Sequence, residues 1–200
     1  MATKAIQPAT DWILNKVADV LAFFRITPNV LTVSGVFLNA AVGYVLMQGR
    51  FYIGAWLYLT VSLTDLLDGI LARKRNLSSS FGAFLDSVMD RFSDAVIFLG
   101  LLIYYALIHN IPCVLITAAA LTGAMITSYT RARAECIIPK CKVGFMERPE
   151  RVILLAIGLF ANRVPICLLL MSIASFIAIL DRIVYTRSEL SKMGAARQMP

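Results

Sequence analysis

Residues 65–90 read DLLDGILARKRNLSSSFGAFLDSVMD, and the fold turns on how that stretch is taken. Its first half closes an otherwise apolar segment, FYIGAWLYLTVSLTDLLDGILAR (51–73), which is long enough to cross a bilayer only if two acids are included. Asp65, Asp68, Asp86 and Asp90 are four of only twelve acidic residues in 200. An acid inside a membrane costs roughly 2.5–3.5 kcal/mol on insertion scales, so such acids point by default to function. On a helix, Asp65 and Asp68 lie about 60° apart in projection, with Gly69 and Ala72 near the same stripe. Gly82, Asp86, Asp90 and Asp94 form an i, i+4 ladder on the next helix. The link between them is short, which predicts antiparallel neighbours whose acid stripes meet. Asp65 stands roughly 12 Å along the axis from Arg73, at about 1.5 Å per residue, so the acids gather at the basic end of the span, within reach of water.

The rest of the chain fits that frame. Hydrophobic residues make up 59% and the mean hydropathy is +0.76, more apolar surface than a soluble core of this length needs. Uncharged or nearly uncharged runs predict six spans: 26–49, 51–73, about 82–108, about 112–136, a short one at 151–161 beginning near Pro149, and 164–180. Of the nineteen Lys and Arg, all but Arg50 and Arg163 fall on one side of this topology, so both termini are expected in the cytoplasm. The formal charge of +7 is spread between apolar segments, as orientation and anionic headgroups require, and nucleic acid is not the expected partner. Ahead of the spans, Trp12, Ile13, Val17, Val20, Leu21 and Phe24 share one face of a helix suited to the membrane interface. No cleavable signal peptide is visible in the first residues. The single His and the four Cys show no metal-ligand spacing. The expected fold is therefore all-α: a juxtamembrane amphipathic helix (1–25), a six-helix transmembrane catalytic domain (26–185) and a cytoplasmic tail (186–200).

Four carboxylates from two helices make an oxygen-only site, which favours Mg²⁺ or Mn²⁺ over zinc. Two such ions would explain how the charges are tolerated, and the small residues at 69, 72 and 82 leave room for a ligand beside the backbone. Ion pairing with Arg73, Lys74 or Arg91 is the plainer reading, but it does not explain the accompanying Gly and Ala. A proton or cation relay in a transporter is the rival function. Relays usually spread their acids through the membrane depth, and these lie at one end.

Written as a pattern, residues 65–90 are D-x2-D-G-x2-A-R-x8-G-x3-D-x3-D. This resembles, without a missing position, the signature of the CDP-alcohol phosphotransferases, and the six-helix plan with an interfacial N-terminal helix is similar too. The resemblance implies that an alcohol attacks the β-phosphorus of a CDP-linked lipid and CMP leaves. It implies that Asp65, Asp68, Asp86 and Asp90 hold two metal ions and that Asp90 is also the general base. Thr27, Pro28, Asn29 and Val30 look like the family's nucleotide-contacting element, and Gly69, Arg73 and Ser79 match further CDP-contacting positions. A homodimer in the cell (inner) membrane, with a cytoplasmic active site, is what the family suggests.

The acceptor is read elsewhere. SYTRARAE (128–135), GFMERPER (144–151) and ILDRIVYTR (179–187) together look like the phosphatidylinositol-phosphate synthase branch, whose acceptor is inositol 1-phosphate. The resemblance assigns the acceptor's phosphate to Arg131, Arg151 and Arg182. Three cations from three helix ends also suit a phosphate dianion on physical grounds, whereas glycerol or free inositol would not need them. Asp94, Glu147 and Glu150 are read as acids that orient the arginines, and Arg133 and Arg148 as anchors at span ends. The expected activity is transfer of a phosphatidyl or archaetidyl group to a phosphorylated polyol, inositol 1-phosphate first and glycerol 3-phosphate as the alternative.

Overall fold

Helix starts and stops follow local chemistry. The computed structural model describes residues 28–74, 79–141 and 143–197, with side chains described for 32–64, 79–141 and 143–193. The proposed interfacial helix (1–25) lies outside the described residues. Helix α1 (Pro28–Met47) opens on a proline, which has no N–H for the first turn to leave unpaired. It stops at a turn where Gly49 takes φ +73°, packed so closely on Tyr104 that a Cβ would lie 2.6 Å from the ring. Helix α2 spans Phe51–Lys74, and α3 spans Ser80–Leu107, capped by the Ser79 hydroxyl, which accepts from the Gly82 N–H at 2.9 Å. Helix α4 (Ile111–Glu135) is capped by Asn110, whose Oδ1 accepts from the Cys113 N–H at 3.2 Å. The short α5 (Arg148–Phe160) carries Pro149 at its second position, and α6 (Val164–Arg197) runs on well past the expected span end. The segment expected as a tail is thus helical as far as residue 197.

Among the described residues the packing closes a ring. Helix α1 lies on α2, α2 on α5, α5 on α6, α6 on α4, α4 on α3, and α3 back on α1. Among the described residues α1 packs on both α2 and α3, while α2 and α3 share no packing contact with each other; the side chains of 65–78, where the two acid stripes are expected to meet, lie outside the described residues. The contact of α1 with α3 is close. A Cβ at Gly43 would lie 2.7 Å from the Val96 carbonyl oxygen, and one at Gly100 would run into the Gly43 carbonyl. Two glycines let the α1 and α3 backbones meet.

Inside and outside are sorted as in a bilayer protein. Val42, Leu46, Ile97, Leu101, Leu155, Leu168 and Met171 form one apolar centre. Asn39, Thr117, Asp94, Arg151 and Arg182 are buried as well, while Phe37, Trp56, Leu115 and Phe176 stand exposed. Buried arginines beneath exposed phenylalanines are unfavourable in water and sensible in lipid. Among the described residues, two stretches, Ile111–Glu135 and Val164–Met193, are long and apolar enough to cross a membrane.

Candidate active site

The acid ladder of α3 descends from solvent into the protein. Asp86 is exposed, the Asp90 side chain is 32% exposed, and that of Asp94 is 7% exposed. The first turn of α5 meets the lower two rungs. Arg148 donates through Nη1 to Asp90 Oδ1 in an ion pair, and its Nε lies 3.8 Å from Asp94 Oδ1. Arg151 donates through Nη2 to Asp94 Oδ2 at 2.6 Å and through Nη1 to the Met146 carbonyl at 2.8 Å. The match is geometric, because an i, i+3 pair on α5 faces an i, i+4 pair on α3. It is also electrostatic. Arginines in a first helical turn oppose the helix dipole, and the facing carboxylates supply the negative charge that position favours.

Two more arginines complete the lining. Arg131, on α4, is held by Glu147 and by Glu135, the latter at 3.4 Å. Arg182, on α6, is fully buried and donates to the Thr127 carbonyl and, through Nε at 3.2 Å, to the Val143 carbonyl. Gly144 makes room for it, with φ +81° and a Cβ that would lie 3.0 Å from the Arg182 Nε. Together these groups surround a cavity of about 400 Å³ at one end of the ring, lined from α3, α4, α5 and α6.

Of the residues singled out in the sequence, Asp86, Asp90, Arg131, Arg151 and Arg182 all line this cavity. Asp94 lies on Arg151 and Glu147 on Arg131, while Glu150 is exposed outside it. Ser79 is occupied as the α3 cap and is not among the described lining residues. Thr27, and the side chains of Pro28, Asn29, Val30, Asp65, Asp68, Gly69 and Arg73, lie outside the described residues. Arg91 bonds Ser87 rather than Asp90. Sequence reasoning set Arg148 aside as an anchor. Its i, i+3 spacing to Arg151, set against Asp90 and Asp94, was the available signal.

The donor set fits a hard cation. Asp86 and Asp90 open on the cavity one turn apart, and the described lining offers carboxylates and hydroxyls with no imidazole or thiol. The lining carries five carboxylates and five guanidinium groups among the described residues, so it is close to neutral by itself. Phosphate-rich ligands would enter it more favourably with added positive charge.

The profile of the CDP-alcohol phosphatidyltransferases matches residues 25–196. The chain belongs to that family. A transferase, rather than a cation-coupled transporter, is therefore the function class, and the enzyme is a membrane protein. It is 37% identical to the phosphatidylinositol phosphate synthase of Cutibacterium acnes over 88% of this chain and 92% of that one. It is 35% identical to the archaetidylinositol phosphate synthase of Pyrococcus horikoshii over 94% of this chain and 98% of that one. The crystal structure of Mycobacterium tuberculosis phosphatidylinositol phosphate synthase with CDP-DAG bound superposes with a TM-score of 0.81 at 31% identity, covering 87% of this chain and 93% of that one. The same protein in complex with manganese and citrate gives 0.80 at 32%, covering 86% and 88%.

Proposed function

We propose that this phosphatidyltransferase moves the phosphatidyl or archaetidyl group of a CDP-linked lipid onto a hydroxyl of inositol 1-phosphate, releasing CMP. The observation that carries the acceptor is the convergence of Arg131, Arg151 and Arg182, from three helices, on the cavity that also receives Asp86 and Asp90. Guanidinium forks from three directions suit a phosphate dianion. Arg151 retains a buried Nε without a partner, a donor whose desolvation an incoming phosphate oxygen would offset. Ser87, Ser128, Glu135 and Glu147 also line the cavity and can accept hydrogen bonds from a polyol ring, which favours inositol phosphate over glycerol 3-phosphate. The resemblance to two enzymes named for inositol phosphate lipids points the same way.

In this reading Asp90 takes the proton of the attacking hydroxyl. The acceptor oxygen bonds to the β-phosphorus, the phosphoanhydride bond to CMP breaks, and CMP leaves with the electron pair. Asp65, Asp68, Asp86 and Asp90 would hold two divalent cations, Mg²⁺ or Mn²⁺. Bound there, the cations supply charge neutralisation on the pyrophosphate. Thr27, Pro28, Asn29, Val30, Gly69, Arg73 and Ser79 are assigned to the CDP-lipid. The arginines fix the acceptor so that one hydroxyl is presented in line, the orientation that makes a weakly basic carboxylate effective. The enzyme is proposed to cross the cell (inner) membrane six times, with both termini and the site cytoplasmic, and to act as a homodimer.

The test is CMP release from a CDP-lipid, with Mg²⁺ or Mn²⁺, across inositol 1-phosphate, inositol, glycerol 3-phosphate and serine. The highest kcat/KM is expected with inositol 1-phosphate. An equal or higher value with glycerol 3-phosphate would move the acceptor assignment, and activity with free inositol alone would remove the role of the arginines.

A further inference from the structure

Arg148 has no place in the reading above, yet it occupies the carboxylate on which that reading depends. It is the first residue of α5 and pairs with Asp90, and its side chain is 21% exposed. The same guanidinium stands 3.8 Å from Asp94 Oδ1, the oxygen not bonded to Arg151. One arginine thus lies between two rungs of the ladder, bonded to the upper and within a small side-chain movement of the lower. A divalent cation and a guanidinium on one carboxylate repel each other, so each weakens the other's hold on it.

We infer that Arg148 is a positioning residue that serves as the resident counter-cation of Asp90 and yields that carboxylate to the divalent ion, withdrawing toward Asp94. The inference rests on the proposal that Asp90 is a metal ligand. Its physical content is competition. Without substrate, the Asp90 charge is already balanced, so an entering cation competes with the arginine for it. A bound pyrophosphate supplies additional negative charge and shifts the balance toward the cation. Arg148 thereby makes metal occupancy depend on substrate, and Asp94 gives the displaced guanidinium a carboxylate to meet. A purely structural role would predict the reverse: loss of Arg148 would loosen the junction of α3 and α5 and weaken metal binding.

The experiment titrates the full chain in detergent with Mn²⁺, following loss of the free-ion electron paramagnetic resonance signal, with and without a CDP-lipid. Arg148→Gln is expected to bind Mn²⁺ about three- to tenfold more tightly than the unsubstituted protein in the absence of lipid. The gain in affinity on adding CDP-lipid should shrink correspondingly. Arg148→Lys, which keeps the charge, should stay within about twofold of the unsubstituted protein. Arg148→Met is a second neutral variant, and thermal melting reports whether each variant is folded. Unchanged or weaker Mn²⁺ binding in folded neutral variants overturns the inference while leaving the metal site in place. Failure of the unsubstituted protein to bind Mn²⁺ with CDP-lipid present overturns the metal reading itself.

Discussion

Asp90 and Asp94 stand one turn apart on the same helix, and each faces an arginine from the same turn of α5. The two pairs nevertheless do different work. Asp94 and Arg151 are both almost fully buried, and Arg151 also ties down the Met146 carbonyl, where the backbone turns through φ +70°. Asp90 and Arg148 line the same cavity but are more open to solvent, with side chains 32% and 21% exposed. Removing one partner of a buried pair leaves a charge in a poor solvent, whereas a pair facing water can part at little expense. Depth along one helix therefore separates the rung that braces the fold and fixes the acceptor arginine from the rung open to the reacting groups.

Substituting each rung breaks the comparison in the most direct way. Asp90→Asn should lower turnover by about 10³-fold, within the range for loss of a general base, while CDP-lipid still binds and the melting temperature barely moves. The measurement is CMP release beside a thermal melt, and near-normal turnover would remove Asp90 as base. Asp94→Asn should act first on stability. It leaves the buried Arg151 charge without its carboxylate and should destabilise the protein by about 3 kcal/mol, read as a lower melting temperature in detergent. If Asp94→Asn melts normally, the division of labour between the rungs is wrong.

That division was only half legible in the sequence. The ladder itself, the six helices and the basic ends of the spans could be read from periodicity and charge. Asp86 and Asp90 stood out by the same pattern, and Arg131, Arg151 and Arg182 through the resemblance; all five line one cavity. The order of the ring could not be read so. Gly43 and Gly100 are isolated glycines in apolar helix segments, and neither belongs to a G-x-x-x-G repeat. Their contact exists only once two distant segments cross, so no local pattern announces it. Arg148 was hidden for a related reason. Sixteen neighbours in composition, the other Lys and Arg of the basic side, made it one anchor among many, and only the α3–α5 junction singles it out.

The arginines extend the comparison, since they too differ in depth. Arg182 is fully buried and divides its donors between two carbonyls on different segments, a geometry that one ammonium group cannot reproduce. Arg182→Lys should raise the acceptor KM by about tenfold and leave the CDP-lipid KM nearly unchanged, as steady-state kinetics in each substrate would show. Equal changes in both would mean that Arg182 supports the cavity generally rather than the acceptor.

Arg131 lies at the shallow end, with a side chain 41% exposed and two glutamates around it. Water screens it, and Glu135 and Glu147 already offset its charge, so an incoming phosphate gains less from it than from a buried guanidinium. Arg131→Lys keeps the positive charge and loses only the fork. It should therefore raise the acceptor KM by about two- to threefold, the smallest effect of the series. Arg131→Gln removes the charge and leaves the two carboxylates facing the acceptor's phosphate, so its KM should rise further than that of the lysine variant. Were the lysine variant as impaired as Arg182→Lys, bidentate geometry at the mouth of the cavity would matter as much as it does at depth, and burial would no longer rank the arginines.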